Sequence, residues 1–157
     1  MTATASSTPP SSTPPLSDEQ VIAKFTRITF AFCGSLGLIL ILGVTVLSPH
    51  SSIGMPGVLV GVALGLGSWF GSRWITSFGI SRIARTNPTD LAGAVGTAAF
   101  MGIGMADAPA LIGLVLATGD GADVGPIVIG IPIAILAVIV NASGPGAVRR
   151  HLHRLRA

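Results

Sequence analysis

One carboxylic acid, Asp107, lies within a long run of uncharged residues and is the side chain best placed to do chemistry. The run from Leu91 to Ala117 contains no other charged residue, and at 1.5 Å per residue it is long enough to cross a bilayer. An ionised carboxylate at the centre of a membrane helix costs about 3 kcal/mol on insertion scales. Loss of water favours the neutral form, so reversible proton binding is the first chemistry that the sequence suggests.

Two polar residues of the preceding apolar segment are possible partners of Asp107. Ser68 follows Gly57 by 11 residues and Asp107 precedes Thr118 by 11, so both would lie about 16 Å from one end of an antiparallel helix pair. We predict that the Ser68 hydroxyl bonds the protonated Asp107 carboxyl and lowers the cost of its burial. Arg73, about 7–8 Å further along the axis, is the alternative partner. An Arg73–Asp107 ion pair would keep the carboxylate ionised, whereas an Arg73 extended toward the membrane surface would leave Asp107 without a counter-ion.

Composition predicts an all-α integral membrane protein. Half of the 157 residues are hydrophobic and 10% are charged, against about 25% charged in soluble domains, and the mean hydropathy is +0.78. Cys33 is the only cysteine, so an intramolecular disulfide is impossible. A soluble catalytic domain is excluded as the main class.

Four apolar segments predict four transmembrane helices, at about 28–48, 57–80, 91–118 and 124–142. Each reaches the roughly 20 residues that a membrane crossing needs. Together they define a transmembrane domain over residues 21–146.

The sequences at the ends of this domain have a different character. Residues 1–20 are rich in Ser, Thr and Pro and are expected to form a disordered arm. Ser17 and Gln20 at its end predict a capping box. Residues 147–157 form a basic tail, and Pro132 predicts a kink in the fourth helix.

Except for Arg73, which lies within the second segment, positive charge falls on one side of the predicted topology. Lys24 and Arg27 precede the first segment, Arg82 and Arg85 separate the second from the third, and the basic tail follows the fourth. The positive-inside rule places both termini in the cytoplasm of a multi-pass protein of the cell membrane. Beside a membrane the tail is expected to attract anionic lipids rather than nucleic acid.

Small residues recur at intervals of four in the second segment, and this spacing favours close approach of a neighbouring helix. The predicted packing residues are Gly57, Gly61, Gly65, Gly67 and Gly71.

Segments two and three together resemble the helical hairpin of the proteolipid c subunit of rotary ATP synthases. The matching stretches are Gly61-Val62-Ala63-Leu64-Gly65-Leu66-Gly67, Ile83-Ala84-Arg85-Thr86-Asn87-Pro88 and Met105-Ala106-Asp107-Ala108-Pro109-Ala110-Leu111-Ile112-Gly113-Leu114. The resemblance covers about residues 57–118 and implies a central hairpin whose loop faces the cytoplasm. It also implies that Asp107 takes the place of the ion-carrying carboxylate and Arg85 that of the loop arginine. The chain adds one helix on each side of this hairpin.

Two functions follow as expectations. No nucleophile, phosphate-loop, haem-attachment or metal-ligand pattern is present, so we expect neither enzymatic activity of the chain alone nor a cofactor or metal. The first expectation is a structural or accessory subunit that binds other membrane subunits of an energy-transducing complex. The resemblance suggests a respiratory supercomplex of the cytochrome bc–oxidase type as its host. The alternative is a proton-translocating proteolipid, rotor or relay, that uses Asp107. A small-molecule transporter would usually show internal repeats and broken helices, and only Pro132 points that way.

Overall fold

The computed structural model describes residues 17–47, 53–86, 90–118 and 123–157. The predicted disordered arm up to residue 16 and the Asn87-Pro88 part of the loop lie outside these ranges. The described elements are α1 (Asp18–Leu47), α2 (Met55–Ala84), α3 (Leu91–Ala117), α4 (Gly125–Ala137), a π-helical turn (Val138–Ala142) and α5 (Pro145–Arg156).

Four helices are long and apolar enough to cross a membrane: α1, α2, α3, and α4 with its continuation. This result confirms the predicted all-helical class and the number of apolar helices. α1 begins at Asp18, well before its apolar segment, because the predicted capping box forms there. The Ser17 amide donates to Gln20 Oε1 at 3.0 Å, and the Gln20 amide donates to Ser17 Oγ at 3.3 Å.

α2 packs against both α3 and α4, and its glycines divide between these neighbours. At Gly61 an added Cβ would lie 2.8 Å from the Gly125 carbonyl oxygen of α4, and at Gly65 it would lie 2.6 Å from Ile133 Cδ1. At Gly57 an added Cβ would collide with the carboxyl group of Asp123, just before α4. At Gly71 it would lie 2.7 Å from Met105 Cε of α3. Among the described residues nothing lies within 4 Å of an added Cβ at Gly67, so close packing at this glycine stays a prediction.

α4 is helical on both sides of Pro132, and a π-helical turn follows it at Val138–Ala142. Gly144 follows this segment. Glycine is required at this position because an added Cβ would collide with the Ile139 carbonyl oxygen. Pro145 then occupies the first turn of α5, where a missing N–H costs no helical bond.

The predicted basic tail forms α5, an amphipathic helix that packs against the bundle. Its buried residues are Ala147, Val148, His151 and Leu152. Val148 and Leu152 join a core cluster with Val21 and Phe25 of α1 and with α3. Its arginines lie on the exposed faces, and Arg156 forms a bidentate ion pair with Asp18 at the start of α1. The two ends of the described chain therefore meet at one end of the bundle, called the α5 end below; the opposite end is called the Asp123 end.

Candidate functional site

Asp107 lies near the middle of α3 and is half-buried. Ile103 and Ala110, one helical turn before and after it, are buried in core clusters that also contain α1 and α4 residues. Since side chains three and four residues apart share a helix face, Asp107 lies along the same side of α3. Asp107 is therefore partly covered, and the rest of its surface is exposed on the outside of the bundle.

Ser68 lies level with this part of α3, as the antiparallel spacing predicts. Its hydroxyl is fully buried and donates to the backbone carbonyl of Ala106 at 3.0 Å. The predicted bond to the Asp107 carboxyl is therefore replaced by a bond to the main chain one residue earlier. A buried hydroxyl needs one acceptor, and a helix carbonyl with a free lone pair supplies it without placing a carboxyl in the core.

Arg73 and Arg85 do not contact Asp107 through any ion pair. Among the described residues the one ion pair joins Arg156 to Asp18. Asp107 therefore has no cationic partner in this part of the chain. Arg73 is exposed and borders a polar recess next to α5, and Arg85 is exposed at the end of α2. This arrangement matches the alternative in which Arg73 extends away from the carboxyl.

A layer of buried polar side chains at the α5 end was missed by the sequence reasoning. Asn141 donates from Nδ2 to the Trp69 carbonyl oxygen at 3.1 Å and contacts Ser72 Oγ at 3.4 Å. Thr29 Oγ1 lies 2.8 Å from Ser143 Oγ and 2.9 Å from the Ser143 carbonyl oxygen. These bonds fix the π-helical turn and the start of α5 against α1 and α2. The signal for them was the pair Asn141 and Ser143 immediately before Gly-Pro-Gly.

Asp123 is a second residue whose role the sequence left open. Its Oδ2 accepts from the backbone amides of Gly54 (3.1 Å) and Gly57 (3.0 Å), and its Oδ1 accepts from Gly125 (2.8 Å). One carboxylate therefore satisfies amides at the N-terminal ends of both α2 and α4, where the helix dipole also favours negative charge. This is a structural clamp at the Asp123 end of the bundle.

Within the described residues, no group of three or more His, Cys, Asp or Glu side chains could hold a metal ion. A scan against protein-family models gives no match, and searches of curated proteins and of solved structures give no significant match. The fold and composition define a multi-pass membrane protein. The charged residue within α3 is the half-buried Asp107.

Proposed function

We propose that this chain is a non-catalytic accessory subunit of a multi-subunit membrane complex, and that Asp107 lies on its partner-binding surface. The observation that carries the proposal is the unpaired state of Asp107 among the described residues. A polar donor from a neighbouring subunit would lower the cost of a carboxyl at this depth. The resemblance to the c subunit suggests an energy-transducing host, and a respiratory complex of the cytochrome bc–oxidase type is the specific host proposed.

The glycine stripe of α2 supports an accessory role over a rotor. Gly57, Gly61 and Gly65 are closed by residues of α4 and its N-terminal end within the same chain. A second copy cannot use this face for close packing without displacing α4. Small-residue faces are a main source of helix association in lipid, so ring formation through α2 loses its best surface.

Small residues remain open at the depth of Asp107. Nothing lies within 4 Å of an added Cβ at Gly104 in α3 or at Gly34 and Gly37 in α1. α1 and α3 run in the same direction, and an added Cβ at Gly96 of α3 would contact Phe25 of α1. Both helices rise 1.5 Å per residue, so Gly34 and Gly37 lie at about the depth of residues 105–108. A partner helix can approach closely there. At the α5 end, general attraction of the basic helix α5 to an anionic membrane surface is proposed.

The test is purification of a tagged, natively expressed chain in a gentle detergent, with identification and quantification of the proteins that accompany it. We expect stoichiometric cytochrome bc or oxidase subunits, and a several-fold lower recovery of them with Asp107→Asn. Asp90→Asn, a carboxyl change outside the apolar segments, is the matched control and should recover the wild-type amount. Recovery of ATP synthase subunits, or of a homo-oligomer alone, would overturn the proposal.

Proton translocation through Asp107 is the second candidate, favoured by the same partly exposed and unpaired carboxyl. It predicts that dicyclohexylcarbodiimide, which attacks protonated carboxyls in apolar surroundings, modifies Asp107 and blocks proton flux in vesicles. Peptide mass spectrometry between pH 6 and 9 locates the modified residue, and Asp107→Asn is the control. Modification at Asp107 with no change in proton flux would exclude translocation and leave the docking role.

A further inference from the structure

A recess of about 320 Å³ lies where α2, the π-helical turn and α5 meet. Arg73 and Ser77 border it from α2, Asn141 from the π-helical turn, and Arg150 and Arg154 from α5. Its volume falls within the roughly 300–1,000 Å³ typical of small-molecule sites. Two elements, α2 and α5, therefore bring three guanidinium groups to one concave surface, and the π-helical turn adds an amide.

The positive charge of this recess has no compensation in the described part of the chain. No Asp or Glu borders the recess, and the ion pair of the described residues involves Arg156, on another face of α5. Arginines that converge without a counter-ion repel one another, most strongly where the dielectric is low. A bound anion would relieve this repulsion among the arginines.

The polar groups around these arginines are arranged to leave donors free. Arg150 also donates to the Val140 carbonyl, which holds its guanidinium at the rim of the recess and leaves other N–H groups available. Asn141 is anchored to the Trp69 carbonyl, so the floor of the recess is fixed. His151, 5% exposed, borders the same recess and has a buried Nδ1 atom without a hydrogen-bond partner among the described residues.

We propose that this recess is a binding site for a phosphate group, and that the phosphate belongs to an anionic membrane lipid. Guanidinium groups match the geometry of phosphate oxygens through paired N–H donors. The recess also lies where the apolar helix α4 gives way to the basic helix α5, which is the depth of lipid headgroups when α4 spans the bilayer. The site is distinct from general attraction of the exposed arginines to a charged surface, and it does not depend on the accessory role.

Titration of the purified full chain with phosphatidylglycerol in a neutral detergent, followed by native mass spectrometry, tests this site. Arg73→Gln and Arg154→Gln are each expected to weaken lipid binding about tenfold, the loss of roughly one charge-assisted bond. Arg149→Gln removes the same charge from α5, but Arg149 does not border the recess, so wild-type binding within about twofold is expected. Thermal unfolding identifies any variant that is not folded. Because Arg154 is exposed on α5, Arg154→Gln keeps the test valid if Arg73→Gln fails to fold.

Two competition arms separate the sources of the phosphate. Phosphatidylcholine, which carries no net charge, should bind much more weakly than phosphatidylglycerol, and inorganic phosphate at millimolar concentration should not displace the lipid. Displacement by inorganic phosphate would overturn the lipid assignment in favour of a soluble phosphate compound. Equal losses with Arg149→Gln and Arg73→Gln would overturn the site itself, because binding would then follow total charge alone.

Discussion

The carboxyls of Asp107 and Asp123 have opposite surroundings. Asp123 accepts three backbone amides at two helix ends, whereas Asp107 has no ion pair within the described residues. A fully bonded carboxylate stabilises a fold, and an unpaired one at membrane depth costs free energy unless a partner or a proton binds it. The difference gives Asp123 a structural role and leaves Asp107 as the candidate residue for the proposed function.

Replacement of Asp123 by Ala should therefore lower stability more than replacement of Asp90. Asp90 caps α3 through a single bond from the Gly93 amide, 3.0 Å long and exposed. We expect a loss of about 1 kcal/mol for Asp90→Ala and about 2–3 kcal/mol for Asp123→Ala, which leaves three amides without an acceptor. Unfolding by a denaturing detergent, monitored by circular dichroism, measures both. Equal losses would show that Asp123 does not clamp both helices.

His151 should make the stability of the protein depend on pH. Burial lowers the pKa of this imidazole below its ordinary value of 6.5, with a smaller contribution from Arg150 and Arg154, while the Ala142 carbonyl oxygen, 3.2 Å from Nε2, opposes the shift. The unfolded chain then binds more protons than the folded chain as the pH falls through 6.5, so His151 reduces stability below that pH.

The measurement is the unfolding temperature in detergent at several values between pH 5 and 8. His151→Gln retains a donor toward the Ala142 carbonyl and removes the titration, so its decline toward low pH should be shallower. His153→Gln, on an exposed position of the same helix, should follow the wild type. An unchanged decline in His151→Gln would rule out this residue as the cause.

At the scale of helices, the partner of each glycine decides whether a side chain is tolerated. An added Cβ at Gly61 meets the fixed Gly125 carbonyl oxygen at 2.8 Å, while Gly67 faces open space. Gly61→Ala must push α2 from α4, and we expect it to lose about 1–3 kcal/mol. Gly67→Ala should be neutral or gain up to about 1 kcal/mol through better helix propensity. The free energies of unfolding of the two variants, measured under identical conditions, check the difference. A larger loss of stability for Gly67→Ala would contradict the packing of α2 against α4 through Gly61.

The same helices show what the sequence can predict. Runs of apolar residues have the length of a membrane crossing, so four helices could be predicted before their packing was known. The glycine spacing of α2 predicted close approach, but it carries no information about which helix approaches, and the stripe over Gly57, Gly61 and Gly65 meets α4. The sequence predicted only a charged tail at α5, because arginines dominate its composition. The two apolar residues that dock it, Val148 and Leu152, lie one turn apart and are too few to show as an apolar segment.

The candidate site was predicted only in part for a related reason. Depth along a helix follows from counting residues, so the level of Ser68 with α3 was predictable. Its choice of the Ala106 carbonyl as acceptor depends on rotation of two helices about their axes, which residue counting does not provide. The recess around Arg73 joins residues from positions 73 to 154, and only the folded chain shows their proximity.

For the whole molecule, charge and packing combine into a prediction of topology. All nine Lys and Arg residues lie at or toward the α5 end, counting Arg73, which borders the recess next to α5. The Asp18–Arg156 ion pair joins the start of α1 to the end of α5. This contact agrees with four crossings, because an even number of crossings places both ends on the same side of the membrane. The positive-inside rule then predicts that the α5 end faces the cytoplasm.

Single cysteines in a Cys33→Ser background, labelled with a membrane-impermeant maleimide, test this orientation. Glu19→Cys and Ala157→Cys at the α5 end should react only after the membrane is permeabilised, and Thr118→Cys should react in intact cells. All three original side chains are exposed, so accessibility within the protein does not limit the reaction. Labelling of residues 19 and 157 from opposite sides would contradict four crossings. Labelling of both from outside would retain the four crossings and reverse the orientation, which would also place the Arg73 recess in the outer leaflet, away from the anionic lipids concentrated on the cytoplasmic side.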